Sequence, residues 1–275
     1  MSDRQPCVVV KGAGDIGSAV AHALFRAGLR PVLVEEPTPA TARRRMAFAD
    51  ALFEGAAELE GVRAERVDTP AALHRLLASG AAIPLVPSDR APALLAPLRP
   101  VAMVDARMRK RERAPCQLHE APLTIGLGPG FRAGETVHAV VETNWGERLG
   151  AVLWEGEAEP YTGQPRAVAG YTRERYLYAP HPGRFRTELT IGAPVTAGQV
   201  VAWVDTTPLR APIAGTLRGL TRDGVPVAAG AKVVDIDPLG DAARAAGIGE
   251  RPRRIAEGVL RALRESGVLL LQLQG

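Results

Sequence analysis

Apolar positions along this chain change their rhythm near residue 115. Before it, strand-sized apolar runs alternate with stretches whose apolar residues recur at helical spacing, the pattern of strands and helices around a parallel sheet. The first run, Cys7-Val8-Val9-Val10, is β-branched and ends at Lys11. Ile16, Val20, Ala23, Leu24 and Ala27 then follow at helical intervals, and Gly28 closes that helix. Pro31-Val32-Leu33-Val34 reads as a second buried strand ending at Glu35-Glu36. Further strands are predicted over 83–87 and 101–105, with short helices over 71–77 and 91–98.

Between the first strand and the first helix lies Gly12-Ala13-Gly14-Asp15-Ile16-Gly17, with an acid downstream at Glu35. A G-x-G-x-x-G in that context is the fingerprint of a Rossmann-like nucleotide-binding unit. Gly12 permits the tight turn, Gly14 lets backbone approach a pyrophosphate, and Gly17 lets helix and strand pack closely, while the helix N-terminus offers N–H donors to the anion. Asp15 sits inside the loop, where its carboxylate either caps the helix or takes part in chemistry. Glu35 suits a ribose diol, whereas Arg43, Arg44 and Arg45 suit a 2′-phosphate or another phosphorylated group. The cofactor choice between NAD(P) and another nucleotide stays open. Glu35, Ser88, Asp89, Asp105 and Arg107 are candidate rim residues at the carboxyl ends of strands.

From Pro115 the texture becomes Gly-rich and β-like. The stretch 138–144 is predicted as a strand that puts His138, Val140 and Glu142 on one face, and His138 with Glu142 is a candidate proton-transfer pair. No third ligand accompanies them, so no metal site is expected. Residues 179–205 and 211–237 repeat: each reads A-P-x-x-G, a strand, a Gly turn, V-x-x-G and a strand ending in Asp205 or Asp237. Two such units resemble a biotinyl/lipoyl barrel-sandwich, but the connecting hairpin 205–210 has no lysine, so neither biotin nor lipoate is expected. A terminal helix is predicted over 253–264, with Ile255, Val259 and Leu263 on one stripe. The tail from Val268 is expected to pack on the protein or on a second subunit, leaving a homo-oligomer open. The fold class expected is therefore α/β, an N-terminal Rossmann-like parallel sheet (1–114), then a β-rich domain with the duplicated barrel-sandwich (115–240), then a linker and helix (241–275).

Composition narrows the partners. The 275 residues are 46% apolar and only 4% aromatic, with a formal charge of +4. Basic residues are nearly all Arg, with Lys only at 11, 110 and 232, and aromatics do not interleave with them, so nucleic acid is not an expected partner. No run reaches a membrane span and no secretory signal is visible, which with two scattered cysteines points to a cytoplasmic protein.

Four blocks carry a family resemblance: 11–28, 42–55, 126–143 (G-L-G-P-G-F-R-A-G-E-T-V-H-A-V-V-E-T) and 230–238 (G-A-K-V-V-D-I-D-P). They resemble the selenium-dependent molybdenum hydroxylase system proteins, distant relatives of the xanthine and CO dehydrogenase maturation factors. The resemblance implies an accessory role around molybdopterin cofactor insertion or modification, with a molybdenum hydroxylase or its cofactor-assembly proteins as partners. That family has R-G-H after V-V-E-T, where this chain has Asn144-Trp145-Gly146. On this reading Lys11, Arg43, Arg44 and Arg45 neutralise phosphate on the glycine loop, and His138 and Glu142 supply polar contacts or proton transfer. The competing expectations are a nicotinamide-dependent oxidoreductase and a nucleotide-sensing scaffold without turnover.

Overall fold

The computed structural model describes residues 6–109 and 113–269. Buried parallel strands need apolar side chains on both faces, and the first runs supply them. They form β1 (Cys7–Lys11), β2 (Arg30–Glu35), β5 (Ile83–Pro87), β6 (Ala102–Asp105) and β7 (Leu123–Leu127), while the partly exposed β3 (Ala56–Leu59) and β4 (Val62–Arg66) lie between β2 and β5 in the chain. After the two-residue β8 (Arg132–Ala133) come β9 (Ala139–Val141), β10 (Val152–Leu153) and β11 (Gly156–Glu157). One nine-stranded sheet takes the order β10-β9-β7-β6-β1-β2-β5-β4-β3. Its interior pairings are parallel, while β3 and β10 pair antiparallel at the two edges.

Helices α1 (Asp15–Arg26), α2 (Ala51–Glu54), α3 (Pro70–Ser79), α4 (Ala91–Leu95) and α5 (Glu250–Glu265) accompany the sheet. Thr69 caps α3 by accepting from the Ala72 N–H. The stripe expected on the terminal helix is present: Ile255, Val259 and Leu263 are fully buried in one core with Val20 and Leu24 of α1.

The remaining strands are β12 (Tyr176–Tyr178), β13 (Gly183–Arg186), β14 (Pro194–Val195), β15 (Val200–Val204), β16 (Thr207–Arg210), β17 (Gly215–Leu220), β18 (Pro226–Val227) and β19 (Lys232–Asp237). They make two four-stranded antiparallel sheets, β12-β19-β17-β14 and β16-β15-β13-β18, around a separate core that includes Phe185, Leu217 and Ile236.

This corrects the expected fold class. The large sheet is mixed rather than a Rossmann-like parallel one, and it continues past residue 114 through β7, β9 and β10. The edge reversal follows from a tight turn between β3 and β4, where Glu60 and Gly61 both take positive φ. The repeats do not fold as a duplicated biotinyl/lipoyl-like barrel-sandwich either. The short β14 and β18 pair with strands of the opposite repeat, and β12 and β16, which lie outside the repeats, complete the two sheets. Alternation of apolar residues signalled strands, but it could not say which strands pair.

A segment after β2 joins the two parts. The Ala42 carbonyl accepts from Leu220 N–H at 2.7 Å, the Ala40 carbonyl accepts from the Thr221 hydroxyl, and Arg44 donates to the Leu220 carbonyl at 2.9 Å.

Candidate functional site

Strands β2 and β6 flank β1 on opposite sides, so the chain's direction across the sheet reverses beside β1. Connections after neighbouring strands there leave on opposite faces and open a crevice at the strands' carboxyl ends. The glycine loop occupies that position. Gly12 has φ +104°, and a Cβ on it would lie 3.1 Å from the Ala106 carbonyl just past β6. A Cβ on Gly17 would lie 1.9 Å from the Gly12 carbonyl oxygen, so loop and helix close on each other only without it. Gly14 differs from both. Its backbone is extended (φ −68°, ψ −174°), and a Cβ there would have nothing within 4 Å.

Gly14 opens into a cleft of about 300 Å³. Glu35, Asp15, Arg43 and Arg107 line it, together with residues 40–42, Met108 and, from the second part of the molecule, Lys232. Met108 has φ +55°, an uncommon conformation for its type, directly beside the loop.

Each end of the cleft has its own electrostatics. Glu35 accepts from the Ala13 N–H (2.7 Å) and the Glu36 N–H (2.9 Å), so it braces the glycine loop. Burial pushes its carboxyl above the ordinary range, against the opposing pull of those two N–H groups. Beside it, fully buried Asp105 accepts from Arg107 Nε and Gln117 Nε2, each at 2.9 Å. Burial works to raise the Asp105 pKa, but these partners hold it below the ordinary aspartate range.

At the other end Arg43 bridges two carboxylates, Asp15 (3.0 Å) and Asp235 (2.8 Å). Asp235, fully buried on β19, is shared with Arg175 (3.0 Å) and Lys232 (3.6 Å). The ring of Tyr176 lies 4.5 Å from both Arg175 and Lys232. Burial opposes ionisation of Asp15 and Asp235, yet Arg43 and Lys232 outweigh it and hold both carboxyls below the ordinary range.

The residues expected at the site separate into two groups. Gly12, Gly14, Asp15, Glu35 and Arg43 converge on the cleft. Asp15 is the first residue of α1 rather than its cap, a position Gly14 holds without any side-chain bond. Lys11 instead pairs with Glu120, and Arg44 pairs with Asp50 at 2.6 Å. Of the other rim candidates, Arg107 lines the cleft, whereas Asp89 pairs with Arg90 on the surface.

Neither His138 nor Glu142 lines the cleft, and each bonds to partners other than the other. The Nδ1 of His138 accepts from the Thr124 N–H at 3.0 Å. Glu142, buried past the end of β9, accepts three backbone N–H bonds of 2.7 Å, from Thr143, Asn144 and Glu159. It is a loop-organising carboxylate. Glu142→Gln turns an amide NH2, which cannot accept, toward at least one of those donors and is expected to lower stability by about 1–3 kcal/mol, read by denaturant unfolding. Among the described residues no group of three or more His, Cys, Asp and Glu could hold a metal ion, and no helix is long and apolar enough to cross a membrane.

Burial pushes the Cys7 thiol up to about 12, whereas Cys116 is exposed. Cys7 is half-buried, so a thiolate-directed alkylating reagent at pH 8 is expected to label Cys116 first in the native protein and Cys7 far more slowly than after unfolding. Equal labelling of both in the native state would contradict that burial.

Lys232, Met108 and residues 40–42 escaped sequence reasoning. The signal available for Lys232 was its rarity, since an Arg-rich chain uses Lys at only three positions.

Comparison with known proteins adds one sequence relative. The chain is 41% identical over 256 residues to the uncharacterized protein YqeB of Escherichia coli (strain K12). This similarity is consistent with a YqeB-like family. The match takes in 93% of this chain but 47% of YqeB, so the chain spans about half the length of that relative. No family model matches. Solved structures it overlaps include an aspartoacylase family protein from Mesorhizobium loti (14% identity, 84% of this chain and 85% of that one, TM-score 0.26). Another is the ectoine utilization protein EutE (DoeB) from Ruegeria pomeroyi with product bound (16%, 84% and 85%, TM-score 0.24).

Proposed function

We propose that this chain is an accessory protein of a molybdenum hydroxylase system that holds a phosphorylated nucleotide or a molybdopterin-type cofactor in the cleft over Gly12–Gly17. The observation that carries the binding part is Gly14. Packing explains Gly12 and Gly17, but neither backbone conformation nor any neighbour requires glycine at 14. A bare backbone facing a cleft at the start of a twelve-residue helix is what close approach of a phosphate needs. The residues present fit such a group. Gly14 and the first residues of α1 line the cleft, and Asp15, which accepts from the Ile16 N–H and would repel an anion, is neutralised by Arg43. The molybdenum context rests on the sequence blocks 11–28, 42–55, 126–143 and 230–238.

A nicotinamide-dependent oxidoreductase is the rival reading, favoured by the place of Glu35 on the rim. Among the described lining residues, however, the groups able to move a proton are committed elsewhere: Glu35 accepts two backbone N–H bonds and Lys232 pairs with Asp235, an arrangement that suits a holder of the ligand better than a redox catalyst.

Co-expression with a molybdenum hydroxylase tests the role. The wild-type chain is expected to raise the hydroxylase's specific activity and Gly14→Val to leave it at the level seen without the chain. Hydroxylase activity that is the same with and without the wild-type chain would contradict the accessory role.

A further inference from the structure

We propose that the Lys232 end of this cleft is a subsite for a doubly charged phosphate group, so that the ligand carries a phosphate monoester or a terminal pyrophosphate phosphate pointing toward β19. The inference rests on the reading of the cleft as a phosphate-ligand site and specifies which end takes the dianion and which part of the fold supplies its partners.

Charge at the seam between the two parts of the molecule is the starting point. Arg43, Arg175, Arg218, Lys232, Arg244 and Arg251 sit within electrostatic reach of Asp15, Glu142, Asp235 and Asp237. Among these described residues cations outnumber carboxylates, a balance that favours an anion at the seam. Most of the carboxylates are already engaged. Asp237 pairs with Arg244 (2.8 Å), Glu142 holds three backbone N–H groups, and Asp235 is divided among three cations. Arg218 and Arg251 bond to carbonyl oxygens, of Arg244 (3.1 Å) and Thr143 (2.6 Å). Burial and the neighbouring charge of Arg43 both work against their protonation, and both are held below the ordinary arginine range. A cluster in which cations repel one another is relieved by an anion, and burial strengthens that attraction.

The geometry selects the Lys232 end. Lys232 and Arg43 line the same cleft as Gly14, yet Lys232 belongs to β19 and Arg43 to the segment after β2. A phosphate there would touch both parts of the molecule. The opposite end carries Glu35, with Asp105 behind it already matched one to one by Arg107, and so suits hydrogen-bond donors such as a ribose diol or an aminated ring edge. The cleft is polarised, with its donor-seeking end at Glu35 and its anion-seeking end at Lys232.

The test is calorimetric titration of inorganic pyrophosphate into the full chain as wild type, Lys232→Gln, Lys232→Arg and Gly14→Val. Saturable binding to wild type, weakened about tenfold in Lys232→Gln and kept within about threefold in Lys232→Arg, is the expected result, since a charge-assisted bond to phosphate is among the stronger ones. Melting temperatures of the variants check that each folds, and the arginine variant carries the same charge should the glutamine variant fail to fold. Equal affinity in wild type and Lys232→Gln, with loss only in Gly14→Val, would overturn the subsite and leave the glycine-loop reading standing. No binding of pyrophosphate by wild type would overturn both.

Discussion

Asp235→Asn is expected to lower stability by about 3–5 kcal/mol, the cost of breaking a buried ion pair by removing one partner. The carboxylate is fully buried and accepts from Arg43 at 2.8 Å and Arg175 at 3.0 Å. Asparagine keeps the shape but loses the charge, which leaves two desolvated guanidinium groups facing a neutral amide. Arg175 is poorly placed to adapt, being 4% exposed and with a buried Nε that already lacks a partner. Arg43 would lose one of the two anchors by which it links α1 to β19. The control is Asp223→Asn, which breaks an exposed pair with Arg186 at 3.5 Å and is expected to cost no more than about 1 kcal/mol. Denaturant unfolding at pH 7 measures both. The sign of the pH dependence follows from the depressed pKa. The folded carboxyl titrates below the 3.8 of a free aspartate, so its contribution is complete above that pH and is lost as pH falls through the folded value. The stability gap between wild type and Asp235→Asn is therefore expected to hold from neutrality to about pH 4 and to narrow only below it. A gap that closed between pH 7 and pH 5 would contradict the arrangement.

Gly14→Val is expected to weaken binding of the cleft's ligand by about a hundredfold or more, with stability changed by less than about 1 kcal/mol. The two halves of that expectation come from the same geometry. An extended backbone accepts any residue, and no neighbour lies within 4 Å of the new Cβ, so the folded state tolerates the branch. The ligand does not, because the branch stands where phosphate must approach the N–H groups of α1. Gly14→Ser sharpens the case. Gly14 caps α1 without a side-chain bond, and serine there would stabilise the helix by a few tenths of a kcal/mol. Serine is therefore expected to raise the melting temperature slightly while still weakening the ligand. Gly17→Val is the opposite control, since its Cβ would collide with the Gly12 carbonyl and the fold itself would suffer.

The first part of the molecule was legible in the sequence for a definite reason. Parallel strands buried on both faces leave unbroken apolar runs, and 7–10, 32–34, 83–87 and 101–105 all became strands of one sheet. The stripe of Ile255, Val259 and Leu263 likewise carried its own address as one buried face of a helix. Pairing was not legible. The internal repeat at 179–237 is plain as text, yet β14 and β18 each bind a strand of the other copy, and no local pattern encodes that exchange. The site was legible where chemistry and chain neighbourhood coincide, at Gly12, Gly14, Asp15 and Glu35. It was lost where it depends on tertiary approach, because Lys232 reaches the loop from the far side of the sequence. The His138–Glu142 pairing failed for a related reason. Two ionisable residues on one predicted face need not meet, and here each found backbone partners instead: Thr124 for the histidine and three loop amides for the glutamate. The cost of a buried unpartnered polar group is avoided either way, so their burial by itself said nothing about catalysis.

A cleft over Gly14 that holds a phosphorylated small molecule should retain it through gentle purification. Mass spectrometry of compounds released on denaturing gently purified protein tests it most directly, with wild type and Gly14→Val prepared side by side. A phosphorus-containing heterocyclic compound is expected to be released from wild type and to be strongly reduced in Gly14→Val. The same compound released in equal amount from a folded Gly14→Val protein, or no phosphorus-containing compound from wild type, would contradict it.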